Sequence, residues 1–100
     1  MLFRSGPGVQ VVAYDQDTGM YASRLWWMLR YLGHDAVAVL DGGWAKWQRE
    51  NRPTQSGDEE RKAAVFLPRL RPELHLSLAD VERLAGSPSV MLVEIGRAHV

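Results

Sequence analysis

Two short apolar runs flank a segment with helical periodicity in the first half of the chain. Residues 9–14 and 36–40 are continuous runs dominated by small and β-branched apolar side chains, with polar or turn-forming neighbours, which predicts two buried strands. Between them, apolar residues recur three or four positions apart over residues 20–32, which predicts a helix. Its expected buried stripe comprises Tyr21, Leu25, Met28, Leu29 and Leu32. A crossover of this length suits neighbouring parallel strands.

Turn and cap residues extend this alternation. Gly33 fits the position just past a helix end, and Asp41 is a possible N-cap for a short helix over residues 44–50. Strand, helix, strand and helix with short connections predict an α/β fold with a parallel sheet. We expect the tryptophans to serve in core and interdomain packing. They are Trp26, Trp27, Trp44 and Trp47.

The pattern changes after residue 50. Residues 51–62 are polar and end in a run of charges, which is typical of a linker. Residues 63–76 contain Pro68 and Pro72, so we expect an extended segment that lies on a surface. Ser77 and Asp80 indicate the start of a helix that continues to Leu84. The apolar residues 89–93 predict a third strand.

Composition narrows the classes of function. The 100 residues carry 12 basic and 12 acidic side chains, and 46% of them are hydrophobic. Zero net charge argues against a nucleic-acid-binding module, and no apolar run reaches the length of a membrane helix. The chain has no cysteine, which excludes disulfides, thiolate metal sites and a cysteine nucleophile within it.

The candidate chemistry lies in the loop over residues 15–19, between the first strand and the first helix. Backbone N–H groups and a helix N-terminus converge at such a loop and favour an anion or a thiolate. Asp15 stands where a nucleophile would be needed, and Asp17 adds a second carboxylate. We therefore expect a turn whose own carboxylates accept the loop N–H bonds; an acid–base or metal pair is the alternative. We expect His34 to be a surface or C-cap residue, and His75 has no evident partner.

The two ends of the chain resemble translated sequencing adapter. The DNA GTG-CTC-TTC-CGA-TCT, with GTG read as a start, encodes residues 1–5. Its reverse complement encodes Ile95, Gly96, Arg97 and Ala98 and begins a codon suited to His99. We therefore expect residues 1–5 and 95–100 not to be native and both ends to be cuts.

Several blocks of the sequence resemble the first domain of tandem rhodanese-type sulfurtransferases. These blocks are Tyr14-Asp15, GMYASRLWW at residues 19–27, LRYLGH at 29–34 and VLDGGW at 39–44. The resemblance implies a rhodanese-like doubly wound parallel sheet that is incomplete here. It further implies two similar domains, of which only the second carries the active-site cysteine, and Asp15 occupies the equivalent position in the first.

The resemblance also implies domain boundaries. Residues 6–52 would be the C-terminal half of the non-catalytic first domain, residues 53–76 the interdomain linker, and residues 77–94 the start of the catalytic domain. The first domain's opening strand and helix, and most of the second domain with its cysteine loop and substrate-binding arginines, would lie outside the chain. Glu94 stands where the family usually has Asp.

The function implied by the resemblance is transfer of sulfane sulfur from thiosulfate or 3-mercaptopyruvate to cyanide or a thiol through a cysteine persulfide. The expected partners are a small anionic donor, a thiophilic acceptor and the second domain, with no nucleic acid, membrane, metal or cofactor. This chain would be inactive by itself, with no catalytic residue of its own, and the parent would be cytoplasmic. A non-catalytic rhodanese-like binding or scaffold module is the alternative.

Overall fold

The fold is a small, open α/β arrangement. The computed structural model describes residues 2–3, 8–94 and 96, with residues 2–3 described by their backbone alone. Four strands and three α-helices are formed. In chain order the elements are β1 (Leu2–Phe3), β2 (Val11–Ala13), α1 (Met20–Tyr31), β3 (Val37–Val39), α2 (Gly43–Arg49), β4 (Ala64–Val65), a 3₁₀ turn (Pro72–Leu74) and α3 (Leu78–Leu84).

The parallel pair predicted from the sequence is confirmed. Strand β2 pairs in parallel with β3, with Val12 opposite Ala38, and α1 forms the crossover between them. This unit, with one helix packed on a small open sheet, is an incomplete α/β fold. A second ladder, not predicted from the sequence, pairs β1 with β4 in antiparallel orientation.

The core lies between α1 and one face of the β2–β3 sheet. Leu29, Val37 and Phe66 form its buried cluster, and Val11, Trp26 and Leu32 pack against it. The predicted stripe of α1 is therefore only partly right. Tyr21, Leu25 and Met28 are exposed, while Ala22 is buried together with Leu29, because a sheet of two strands covers only a narrow strip of the helix.

The ends of the helices follow from local chemistry. Helix α1 ends in a Schellman motif, in which the Gly33 N–H donates to the Arg30 carbonyl and the His34 N–H to the Leu29 carbonyl. Gly33 has φ of 90°, as predicted for the residue past the helix end. Helix α3 begins with the predicted capping box, formed by Ser77 and Asp80. None of the helices in the described residues is long and apolar enough to span a bilayer.

Two predicted features are wrong. Residues 89–93 form no strand, and Met91 is 85% exposed, because no neighbouring strand in the described part of the chain pairs with them. Asp41 is not an N-cap: that position of α2 is Gly42, without a side-chain cap. Asp41 lies instead 3.6 Å from the Lys46 ammonium.

The segment over residues 63–76 is extended, as predicted, but it is partly built into the core. It contributes Phe66, which is 4% exposed. The preceding residues 48–63 are exposed throughout, in agreement with a polar linker.

Candidate active-site loop

The loop over residues 15–19, here named the cradle loop, lies where both parallel strands end. It follows β2, and the turn after β3 comes to the same edge of the sheet, where ligands of open α/β sheets usually bind. The Trp44 N–H donates to the Asp15 carbonyl at 3.1 Å. A Cβ at Gly43 would lie 3.1 Å from the same carbonyl oxygen, so the close approach of the two turns favours glycine there.

The Asp15 carboxylate lies at the centre of the cradle loop. Its Oδ1 accepts hydrogen bonds from the backbone N–H of Asp17 at 2.9 Å and of Gly19 at 3.1 Å. Its Oδ2 accepts from the N–H of Ala22, in the first turn of α1, at 2.9 Å. Of the two loop carboxylates expected to accept these bonds, Asp15 therefore does so, and no such bond to the Asp17 carboxylate is found within the described residues. Asp15 also satisfies a helix N–H that the N-cap Gly19 leaves without a side-chain acceptor.

These hydrogen bonds fix the charge of Asp15. Donation from the Ala22 N–H, followed by those of Asp17 and Gly19, lowers the pKa of the Asp15 carboxyl below its ordinary value. A carboxylate that is ionised and already bonded on both oxygens is a poor proton donor or acceptor near neutral pH. The arrangement therefore stabilises the loop and the start of α1, and general acid–base chemistry is disfavoured.

The surface beside the cradle loop is a shallow depression with negative character. It has a volume of about 320 Å³, and the charged residues among those lining it are Asp17 and Asp41. No basic side chain lines it, but the Lys46 ammonium lies 3.6 Å from the Asp41 carboxylate, so repulsion of a small anion here would come mainly from Asp17. Within the described residues, no group of three His, Asp or Glu side chains is placed to hold a metal ion.

An apolar groove lies on the sheet face that α1 does not cover. It has a volume of about 520 Å³, and its lining residues are Val12, Tyr14, Leu40, Trp44, Trp47, Pro53, Thr54 and Gln55. Tyr14 and Trp44 stack with ring centroids 6.1 Å apart. The Trp47 indole N–H donates to the Pro53 carbonyl at 2.9 Å, which holds the start of the linker against α2.

The other two tryptophans lie on α1. Trp26 packs against the core cluster, and the Arg30 guanidinium lies 4.9 Å from its ring centroid. Trp27 stacks on Tyr31 with centroids 5.3 Å apart. Trp26 therefore contributes to the core as expected.

The expectations that His34 lies on the surface and that His75 has no partner are wrong, whereas the His34 backbone N–H does contribute to the cap at the end of α1. His34 is only 8% exposed, and its Nε2 lies 2.9 Å from the Val9 carbonyl oxygen. Because that oxygen can only accept, Nε2 carries the proton. His75 has a partner, since its ring meets the Tyr31 ring edge-on at a centroid distance of 5.9 Å.

The ion pair between Asp35 and Arg71 was not predicted from the sequence. The Arg71 guanidinium donates to both Asp35 oxygens, at 2.6 and 2.7 Å, across a separation of 36 residues. A charge pair at such a separation leaves no periodic signal. The only sequence signal for Phe66 as a core residue is that it is the single aromatic side chain in residues 61–71, which are otherwise aliphatic, basic or proline.

Comparison with known families agrees with this fold and loop. The family of rhodanese-like domains matches residues 2–50, which include the parallel unit and the cradle loop. The chain belongs to this family.

The similar curated proteins are sulfurtransferases. Human 3-mercaptopyruvate sulfurtransferase is 38% identical over 91 residues, which cover 89% of this chain and 31% of the relative. Rattus norvegicus thiosulfate sulfurtransferase is 42% identical over 86 residues, covering 84% of the chain and 29% of the relative. The probable 3-mercaptopyruvate sulfurtransferase of Pseudomonas aeruginosa is 33% identical over 86 residues, covering 85% and 30%. The chain thus spans about a third of the length of these relatives.

Proposed function

We propose that this chain is part of a two-domain sulfurtransferase and supplies the C-terminal half of its non-catalytic first domain, the linker and the start of the second domain. The parent would transfer sulfane sulfur from thiosulfate or 3-mercaptopyruvate to cyanide or a thiol. The observation that carries the proposal is the cradle loop, whose N–H donors are taken up by the carboxylate of Asp15. The similarity to 3-mercaptopyruvate and thiosulfate sulfurtransferases supports the sulfurtransferase class.

The proposed chemistry requires a thiolate outside this chain. With thiosulfate as donor, the thiolate of a cysteine in the second domain attacks the outer sulfur, a new S–S bond forms, and sulfite leaves with the electron pair of the broken bond. Cyanide then attacks the outer sulfur of the persulfide, which yields thiocyanate and restores the thiolate. N–H donors around that sulfur would lower the thiolate pKa and stabilise negative charge.

The role of Asp15 in this scheme is structural. A carboxylate cannot carry sulfane sulfur, but it uses the same N–H donors that a thiolate in an equivalent loop would use. The cradle loop of the first domain would therefore have the same shape as the cysteine loop of the second domain, with the carboxylate of Asp15 in place of the thiolate. The acidic depression beside the loop is consistent with an anionic donor binding elsewhere.

The test compares the 100-residue chain with the full-length protein encoded at its locus. We expect thiocyanate from thiosulfate and cyanide, or pyruvate from 3-mercaptopyruvate, with the full-length protein only. Replacing the second-domain cysteine by serine should abolish turnover, whereas Asp15→Asn in the full-length protein should change kcat/KM less than about threefold. Asp17→Asn is the matched control for loss of one carboxylate.

Two results would contradict the proposal. Turnover by the unmodified 100-residue chain above a buffer blank would show that its chemistry does not need a thiolate. A full-length protein that has no cysteine loop about one domain length downstream, and no turnover, would favour a rhodanese-like binding or scaffold module. A separate measurement uses the Asp15→Cys variant of the isolated chain: turnover by this variant would show that the cradle loop alone can activate a thiol.

A further inference from the structure

Residues 64–71, here named the strap, return to the first half of the chain after the exposed linker. The Arg69 N–H donates to the Leu32 carbonyl at 2.7 Å, and the Arg71 N–H donates to the Tyr31 carbonyl at 2.9 Å. These two carbonyls belong to the last turn of α1, where the helix has no further N–H groups to offer. The strap therefore supplies backbone donors that complete the end of the helix.

The strap also supplies a core side chain. Phe66 is buried in the same cluster as Leu29 of α1 and Val37 of β3. Its ring centroid lies 6.1 Å from that of the buried His34. Phe66 is the only residue of the core cluster that follows α2 in the sequence. Without it, the side of α1 that faces the sheet would be exposed near the C-terminal end of the helix.

Gly33 makes the close approach of the strap possible. A Cβ at Gly33 would lie 2.7 Å from the Arg69 carbonyl oxygen and 2.9 Å from the Arg69 Cβ. Both are closer than side-chain contacts in folded proteins, and the oxygen belongs to the backbone. Any side chain at position 33 therefore has to displace the strap, in addition to the cost of its positive φ.

The ion pair between Asp35 and Arg71 closes the strap at its far end. It is a bidentate pair, the geometry in which guanidinium and carboxylate groups bind most specifically. The Arg71 guanidinium, by hydrogen bonding and charge, lowers the pKa of the Asp35 carboxyl. Pro72 follows directly and starts the 3₁₀ turn Pro72–Leu74, so the chain leaves the ion pair in a defined conformation.

We propose that the strap is an integral part of the first domain and that the Asp35–Arg71 ion pair is a latch that fixes where the chain leaves that domain. The connection without docking contacts is then confined to the exposed residues 56–63, and the segment that follows starts from a fixed point beside the end of α1. This assignment moves the domain boundary from residue 52 to beyond Arg71. It rests on the proposed two-domain architecture but not on the proposed catalysis, because its test concerns only contacts within this chain.

Backbone hydrogen exchange of the 100-residue chain, resolved by NMR, tests the strap. In the unmodified chain we expect the Arg69 and Arg71 amides to exchange at least about tenfold more slowly, relative to their intrinsic rates, than those of Arg61 and Lys62. Gly33→Ala should remove most of this protection. Gly86→Ala is the matched control, because Gly86 also follows a helix and has φ of 92° but has no atom within 4 Å of the added Cβ; it should leave the strap amides within about twofold.

Charge reversal tests the latch. Asp35→Arg and Arg71→Asp should each accelerate exchange of the strap amides by about fivefold or more, and the double variant should recover at least half of the lost protection. Arg61→Asp, in the exposed linker, should have no effect. Equal exchange rates in the strap and the linker of the unmodified chain would overturn the proposal. Failure of the double variant to recover would overturn the latch.

Discussion

At the scale of single residues, Asp15 shows how one carboxylate can fix the shape of a loop while the N–H groups of that loop stabilise the negative charge of the carboxylate. Helix α1 begins after Gly19, which has φ of 98° and no side chain with which to cap the helix. Asp15 takes over that task from outside the helix, seven residues before Ala22. A negative charge at this end also interacts favourably with the helix dipole.

The stabilisation by Asp15 should depend on pH. Its pKa is lowered in the folded chain, so its contribution is complete above the ordinary carboxyl pKa and is lost as the pH falls through the lower folded value. We expect Asp15→Asn to lower Tm by about 5 °C at pH 7. The amide NH₂ of Asn would face at least one of the three backbone N–H groups that now donate to the carboxylate, and two donors cannot form a hydrogen bond with each other. The difference should narrow progressively as the pH falls below the ordinary carboxyl pKa of about 3.9.

Thermal unfolding followed by circular dichroism at several pH values measures this. Asp17→Asn is the control, because none of the hydrogen bonds found among the described residues uses the Asp17 carboxylate. A constant difference between Asp15→Asn and the unmodified chain from pH 7 to pH 3 would show that the ionised form of Asp15 is not what stabilises the loop.

Single residues were predictable where the reason was local. The positions of Gly33, Ser77 and Asp15 followed from cap and loop chemistry within a few residues. His34 was misassigned because its burial depends on Phe66, which lies 32 positions further along and gives no signal near His34. Asp41 was misassigned because Gly42, with φ of 81°, starts the helix one position later.

At the scale of secondary-structure elements, α3 is stabilised by its own ends. It has seven residues, and none of them is buried. A helix this short is marginal in water without tertiary contacts, so the capping box carries much of its stability. The Ser77 hydroxyl accepts from the Asp80 N–H at 3.1 Å, and the Asp80 carboxylate accepts from the Ser77 N–H at 3.0 Å.

Removal of the cap should therefore melt α3 alone. We expect Ser77→Ala to cost about 1 kcal/mol of local helix stability, seen as NMR chemical shifts of residues 78–84 that move towards coil values. The shifts of α1 should not change, because α3 contributes nothing to the core cluster. Ser56→Ala, in the exposed linker, is the control, and unchanged shifts over residues 78–84 in Ser77→Ala would contradict this account.

Elements were predictable where periodicity and boundaries agreed. The parallel pair, its crossover helix and α3 each had an apolar pattern and a turn or cap residue at the expected place. Residues 89–93 had the apolar pattern without a partner strand, and strand formation depends on pairing. The strap could be predicted as extended, because of Pro68 and Pro72, but its docking on α1 depends on contacts with residues more than 30 positions away, which leave no pattern in the sequence.

At the scale of the whole molecule, the chain is far from compact. Its solvent-accessible surface is 8770 Å², against about 5,700 Å² for a folded monomer of this mass. Its radius of gyration is 17.4 Å, against about 13 Å for a compact domain of 100 residues. Much of the excess is apolar, including Val12 at 51% and Tyr14 at 57% exposure.

We expect the isolated chain to be only marginally stable for this reason. Differential scanning calorimetry should show a weak transition below about 60 °C, with 8-anilinonaphthalene-1-sulfonate binding already at 25 °C, since the dye reports exposed apolar surface. The full-length protein is the comparison and should unfold at a higher temperature. A sharp, cooperative transition of the 100-residue chain above about 60 °C would contradict this expectation.

The open edges of the β2–β3 pair have a further consequence. Within the described residues, each of these strands has a neighbour on one side only, and the sheet face with Val12 and Ala38 is exposed. An unpaired, apolar strand edge is a template on which another extended segment can add by backbone hydrogen bonding. In isolation the chain is therefore expected to self-associate through these strand edges, and its zero net charge provides no electrostatic repulsion to oppose this association.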